Sequence, residues 1–138
     1  MAAPPVPRDV QRSFAGTTES IREARHFVRE TTTEFADRAE FVGDMELAVS
    51  ELVTNAVEHG INEPVTVNIA VVAEPPTVDI SVRSVRSSSG IADPSTWSGP
   101  LPAVRTGRGL AIVRAVSDTV SVEEDDETVT VHCTFRIG

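Results

Sequence analysis

Two hydrophobic periods divide the chain. Ile21, Ala24, Phe27 and Val28 recur at helical spacing and predict a helix ending at about Thr31. Thr17, Thr18 and Ser20 supply start chemistry, with Ser20-x-x-Glu23 reading as a capping box. A second helix is predicted over 42–59, with Met45, Ala48, Val49, Leu52, Val53, Ala56 and Val57 as its core stripe and an irregular start after Asp37. The period then falls to two. Val65, Val67, Ile69 and Val71 alternate, as do Val78, Ile80 and Val82, and the turn at 74–77 makes them an antiparallel pair. Residues 10–15 read as a short strand. Leu110, Val113 and Val116 face inward on a third helix opened by Gly107-Arg108-Gly109, and strands at 120–123 and 128–137 flank an acidic turn. Segregated helices and strands predict an α+β fold: a two-layer α/β sandwich whose mixed, mostly antiparallel sheet is covered on one face by helices.

With 138 residues, the chain is sized for one domain. The Ala/Pro-rich stretch 1–9 reads as a flexible tail and 10–138 as a single domain, with a Ser/Gly/Pro-rich loop at about 84–106. A loop of that length in a compact domain is usually functional or mobile. No apolar run approaches membrane-spanning length, and the first residues lack the apolar segment of a signal peptide, so the cytoplasm is the expected compartment.

Charge and composition narrow the function. The net charge of -9 and the few aromatics, five Phe, one Trp and no Tyr, argue against duplex binding and base stacking. Cys133 is the single cysteine and sits in an alternating apolar run, so it reads as a buried, inert thiol. His26, His59 and His132 are isolated in sequence, and no metal-binding cluster of Cys and His is expected.

The chemistry concentrates at residues 51–60. Glu51 and Asn55 are four apart and therefore stack on one helical face, opposite the apolar stripe. Asn is unfavourable in a helix interior, because its amide competes for backbone groups. Its oxygen is a hard ligand suited to Mg²⁺. A carboxylate one turn earlier is placed to orient or deprotonate a nucleophile beside a phosphate. A solvated helix face is the plain alternative. Gly60 follows where a left-handed cap would end the helix. Farther on, Arg105-Thr106-Gly107-Arg108-Gly109-Leu110 marks a loop-to-helix junction. Glycines there admit a ligand close to the backbone, and the helix start attracts an anion. Arg105 brings a planar donor pair suited to phosphate, although a tight turn alone would also explain this motif.

Glu-Leu-Val-Thr-Asn-Ala-Val-Glu-His on one helix, a strand pair, a long loop and Arg-x-Gly-x-Gly-Leu on another helix together resemble the anti-sigma factor serine kinases of bacteria. These belong to the histidine-kinase-type ATPase superfamily, which also holds DNA gyrase and a heat-shock chaperone. The order of segments is similar from Val10 to Ile137. The resemblance implies ATP and Mg²⁺ as cofactors. Asn55 would bind the metal that bridges the phosphates, and Glu51 would be the general base for a serine hydroxyl on a protein substrate. Gly107 and Gly109 would hold phosphate oxygens, Arg105 would approach the terminal phosphate, and Ser84 and Leu110 would complete the nucleotide contacts. The loop at 84–106 would be the lid. His59 falls where the family often has His and is assigned a helix-end or packing role. The implied partners are a sigma factor and its anti-sigma antagonist, with no direct contact to nucleic acid or membrane. Family members commonly dimerise, so a homodimer belongs to the expectation.

One motif departs from the family. Asp-x-Gly-x-Gly, whose Asp accepts a hydrogen bond from the adenine amino group, falls here on Ser84, Arg86 and Ser88. A neutral hydroxyl is a weaker partner than a carboxylate, and losing a charged hydrogen bond costs on the order of 1.5–3 kcal/mol. Two functions follow: a kinase that sequesters a sigma factor, and a nucleotide-independent binding module of the same fold with an eroded adenine site. A general ATPase, with Glu51 activating water, ranks behind both.

Overall fold

The computed structural model describes residues 8–32, 39–59, 63–72, 76–85 and 105–136. Five strands and three helices follow in the order β1 (Arg8–Phe14), α1 (Glu19–Thr32), α2 (Ala39–His59), β2 (Val65–Val72), β3 (Thr77–Val85), α3 (Arg105–Val116), β4 (Thr119–Glu124) and β5 (Thr128–Arg136). The sheet order is β1-β2-β3-β5-β4. Each of these four pairings is antiparallel, in keeping with the mostly antiparallel, helix-covered sheet that was expected. Because β5 inserts between them, β3 and β4 run parallel with α3 as their connection.

Alternation along the strands explains the two layers. Val65, Val67, Ile69 and Val71 of β2 are buried, as are Val78, Ile80 and Val82 of β3 and Val131, Cys133 and Phe135 of β5. Their neighbours in sequence point to the other, more polar face. The helices cover the apolar face: α1 lies over β1 and β2, α2 over β2, β3 and β5, and α3 against β4. The expected stripe of α2 is buried from Met45 to Ala56. Val113 of α3 is buried and Val116 is partly so, while the Leu110 side chain lies outside the described set.

Several boundaries differ from the sequence reading. Arg8 and Asp9 belong to β1, paired with Val71 and Ala70, so the strand begins inside the stretch read as a tail. The capping box at Ser20 does not form. Ser20 is buried in the first turn of α1 and its hydroxyl donates to the Ala15 carbonyl. Thr17 and Thr18 open the turn instead, their carbonyls accepting from Ser20 N at 3.0 Å and Ile21 N at 3.3 Å. At the other end the Thr32 hydroxyl donates to the Val28 carbonyl at 2.8 Å, which keeps this β-branched residue in the helix. α2 starts at Ala39, three residues earlier than its apolar stripe indicated. The expected Gly60 cap and the first half of the 74–77 turn lie outside the described residues, and Thr77 already belongs to β3.

β3 also outruns its hydrophobic run. Ser84 pairs with Val129 and Val85 with Thr128, so the first two residues of the expected loop are strand. α3 begins at Arg105, two residues before Gly107. The intervening stretch, with Arg86 and Ser88, is outside the described set.

Candidate functional site

α2 forms the spine of the site. Its Met45–Ala56 stripe is anchored on the sheet, which leaves Glu51 and Asn55 half-buried at the border of that stripe. α3 packs along α2. Among the described residues, the buried Asn55 amide oxygen has no hydrogen-bond partner. Nearby, Thr54 turns its hydroxyl back to the Ser50 carbonyl at 2.6 Å, so it offers the amide no help. Leaving a buried acceptor unsatisfied costs about 1–3 kcal/mol. Such an orphan calls for an explanation, and a missing ligand is one of the recognised ones.

The donor set fits a hard cation held jointly with phosphates. An amide oxygen is an oxygen ligand of the kind Mg²⁺ takes, and Mg²⁺ commonly uses few protein groups together with substrate phosphates. Among the described residues no group of three or more His, Cys, Asp or Glu side chains is placed to cage a metal. Any metal at Asn55 would therefore depend on the nucleotide for much of its coordination.

The start of α3 supplies the anion side. In a helix beginning at Arg105 the amides of the first turn lack intrahelical acceptors, and Gly107 falls among them. The Gly109 N–H lies four residues past the Arg105 carbonyl and is in register to bond it. The glycines are thus not equivalent, a distinction that the expected start at Gly107 had obscured. The side chains of Arg105 and Leu110 lie outside the described residues.

Ser84 is half-buried near the end of β3. By alternation it continues the helix-covered row of Val78, Ile80 and Val82. Asp79 stands on the opposite face near the start of the strand and reaches instead toward His132 Nδ1, 3.9 Å away. It cannot take the place of the missing carboxylate.

Two groupings escaped the sequence reading. Glu46, only 7% exposed, lies beside Met45 on α2 and is held by Arg29 of α1. The signal was a charge inside an apolar stripe. His132, isolated in sequence, stands between Asp79 and Glu123 because β3, β5 and β4 are neighbours; its Nε2 lies 3.5 Å from Glu123. Only strand order could have shown this. Cys133 is fully buried, as expected, and burial pushes its thiol up to about 12, against a smaller opposing hydrogen bond from Ser117. Among the described residues no helix is long and apolar enough to cross a membrane.

Comparison with known proteins agrees with this arrangement. The curated anti-sigma F factor of Clostridium acetobutylicum is 28% identical over 121 residues, covering 84% of each chain. Two solved structures share the fold. One contains the RsbU and RsbW domains of a Mycobacterium tuberculosis protein, with a TM-score of 0.71 and 21% identity; the match covers 94% of this chain but 32% of that longer one. The other is the SiaB-SiaC complex of Pseudomonas aeruginosa, with a TM-score of 0.65 and 15% identity over 90% of this chain and 89% of its counterpart. The histidine kinase-like ATPase domain family matches residues 14–135, nearly the whole chain. From its strand order to the polar face of its central helix, the chain belongs to the histidine kinase-like ATPase domain family.

Proposed function

We propose that this chain is a cytoplasmic anti-sigma regulatory factor that binds a sigma factor and, with Mg·ATP, phosphorylates a serine of an anti-sigma antagonist protein. The observation that carries the nucleotide part is the buried, unpartnered oxygen of Asn55, one helical turn from Glu51 on the helix that α3 flanks. The regulatory part rests on the family and on the similarity to an anti-sigma F factor.

The roles are those the resemblance implies, supported by the positions of Glu51 and Asn55 on α2 and of the first turn of α3. Asn55 would hold the metal through its amide oxygen, and Mg²⁺ would supply neutralisation of phosphate charge. The first-turn amides of α3, Gly107 among them, donate to phosphate oxygens, while Gly109 contributes a bare surface for close approach. By the resemblance, Arg105 would approach the terminal phosphate, and Leu110 and Ser84 would complete the nucleotide contacts. Glu51 accepts the proton of the substrate serine as that oxygen bonds to the terminal phosphorus and ADP departs. Phosphoryl transfer asks the protein mainly for positioning and charge neutralisation, which suits a site with few catalytic side chains.

Calorimetric titration with Mg·ATP, followed by transfer of labelled phosphate to the cognate antagonist, tests this reading. Binding abolished by Asn55→Ala and transfer abolished by Glu51→Gln are expected. One observation favours a second reading, a nucleotide-independent module: Ser84 stands where a carboxylate would hold adenine more firmly. Sigma-factor binding that is indifferent to Mg·ATP, in a chain that takes up no nucleotide, would establish that module and end the kinase reading.

A further inference from the structure

Ser84 has an unusual setting on the sheet. Among the described residues, the helix-covered row of β3 runs Val78, Ile80, Val82 and then Ser84, and the cross-strand partner of Ser84 is the apolar Val129. The same face of β1, β2, β4 and β5 offers no other hydroxyl. Arg12 on β1 is engaged with the Phe27 ring, 4.6 Å from its centroid. Glu124 is the one carboxylate in register with this row. It pairs with the far side of Val129 on the edge strand, which puts it two strand spacings, about 10 Å, from Ser84. Ser84 is therefore the polar group this face presents at the end of β3.

A carboxylate at this place would accept hydrogen bonds only. It would welcome the 6-amino group of adenine and repel the 6-oxo group of guanine. A hydroxyl both donates and accepts, and rotates to suit. It accepts from an amino group and donates to a carbonyl with similar strength, so neither base leaves it unpaired. Strong discrimination arises when the wrong ligand strands a buried polar group, and Ser84 is not stranded by either purine.

We propose that Ser84 makes this site a general purine-nucleotide site, binding ATP and GTP with affinities within about tenfold of each other. This deepens the nucleotide reading of the site and rests on it. The site's regulation would then follow the total purine triphosphate pool rather than ATP alone.

Titration calorimetry of the full chain with Mg·ATP and Mg·GTP separates the possibilities. The expected result is a Kd ratio within tenfold, moved at least tenfold toward ATP by Ser84→Asp. Ser84→Ala should weaken both ligands alike, and Glu124→Gln should leave the ratio where it was. Circular dichroism confirms that each variant is folded. A wild-type preference for ATP beyond tenfold overturns the inference while the nucleotide reading survives. A ratio that ignores Ser84→Asp in a folded variant, or that shifts with Glu124→Gln, also overturns it. Binding of neither nucleotide removes the nucleotide reading and this inference together.

Discussion

Arg29 of α1 reaches Glu46 of α2 with two nitrogens on one oxygen: Nε lies 3.1 Å and a terminal nitrogen 3.0 Å from Oε2. The partners are unequal. The Glu46 side chain is 9% exposed and that of Arg29 is 63% exposed. The pair ties together the two helices on either side of residues 33–38. Most of its worth is in satisfying the buried carboxylate, since the exposed guanidinium is well solvated on its own. Arg29→Met should cost about 1–3 kcal/mol in urea denaturation. Arg29→Met combined with Glu46→Met should recover part of that loss, because no buried charge is left behind. A double variant less stable than the single one would contradict this account.

The orphaned oxygen of Asn55 predicts that stability and function pull apart at one residue. An unsatisfied buried acceptor destabilises the fold by about 1–3 kcal/mol until something pairs with it. Asn55→Leu, close in shape and without the amide, should raise the melting temperature of the ligand-free protein and abolish Mg²⁺-dependent nucleotide binding. In the wild type, Mg·ATP should raise the melting temperature by mass action. A ligand-free Asn55→Leu protein that melts lower than the wild type would show that the amide is satisfied in solution.

These two residues also show what could be read without coordinates. Asn55 and Glu51 were legible because four-residue spacing on a helix translates directly into a shared face. The strand pair was legible for the same kind of reason: Val65 to Val71 and Val78 to Val82 alternate cleanly. Ser84 was placed in the loop because polar composition hid its ladder position; its pairing with Val129 depends on β5, more than forty residues away in sequence. The start of α3 was set two residues late because Gly107 and Gly109 have poor intrinsic helix propensity, and packing against α2 outweighs it. Ser20 looked like a cap by spacing, yet it is buried and bonded to Ala15, a tertiary preference that no local motif encodes.

Gly43 gives a cleaner test of helix propensity. It lies in α2, exposed, and a Cβ built there meets nothing within 4 Å. Glycine in a helix interior is less favourable than alanine by roughly 0.5–1 kcal/mol. Gly43→Ala should therefore stabilise the protein by about that amount, read as a higher urea midpoint at unchanged slope. Weaker binding to a partner protein in the same variant would place Gly43 in the docking surface.

Acid should act at the β4–β5 turn. Asp125 Oδ1 accepts from the Thr128 amide at 2.6 Å and the Glu127 amide at 2.8 Å, and the Thr128 hydroxyl donates to Oδ2 at 3.0 Å. The Thr128 amide first, then that of Glu127, holds the carboxyl below its ordinary 3.8. A depressed folded value means that the contribution is complete above 3.8 and is lost as pH falls through the folded value. Asp125→Ala should therefore flatten the acid side of the stability curve and lower the neutral and alkaline range evenly, leaving the shape of the alkaline side unchanged. An acid limb identical to that of the wild type would remove Asp125 from this role.

Cys133 makes the opposite prediction at high pH. Burial raises its thiol from 9.0 to about 12, and its sulfur is 3.5 Å from the Ile80 carbonyl. The sign is that of a group protonated longer in the folded state: the contribution is complete below pH 9 and is lost as pH rises from there toward 12. Cys133→Ala should remove this alkaline loss, at the expense of a small cavity between β3 and β5. Reactivity offers a second reading, because only the thiolate attacks and this residue is fully buried in the folded chain. A thiol reagent should modify the native protein at pH 8 only as fast as the sheet opens, with the rate rising in urea along the unfolding transition. Rapid modification of the native chain, independent of urea, would mean that β5 leaves the sheet far more readily than its buried position between β3 and β4 implies.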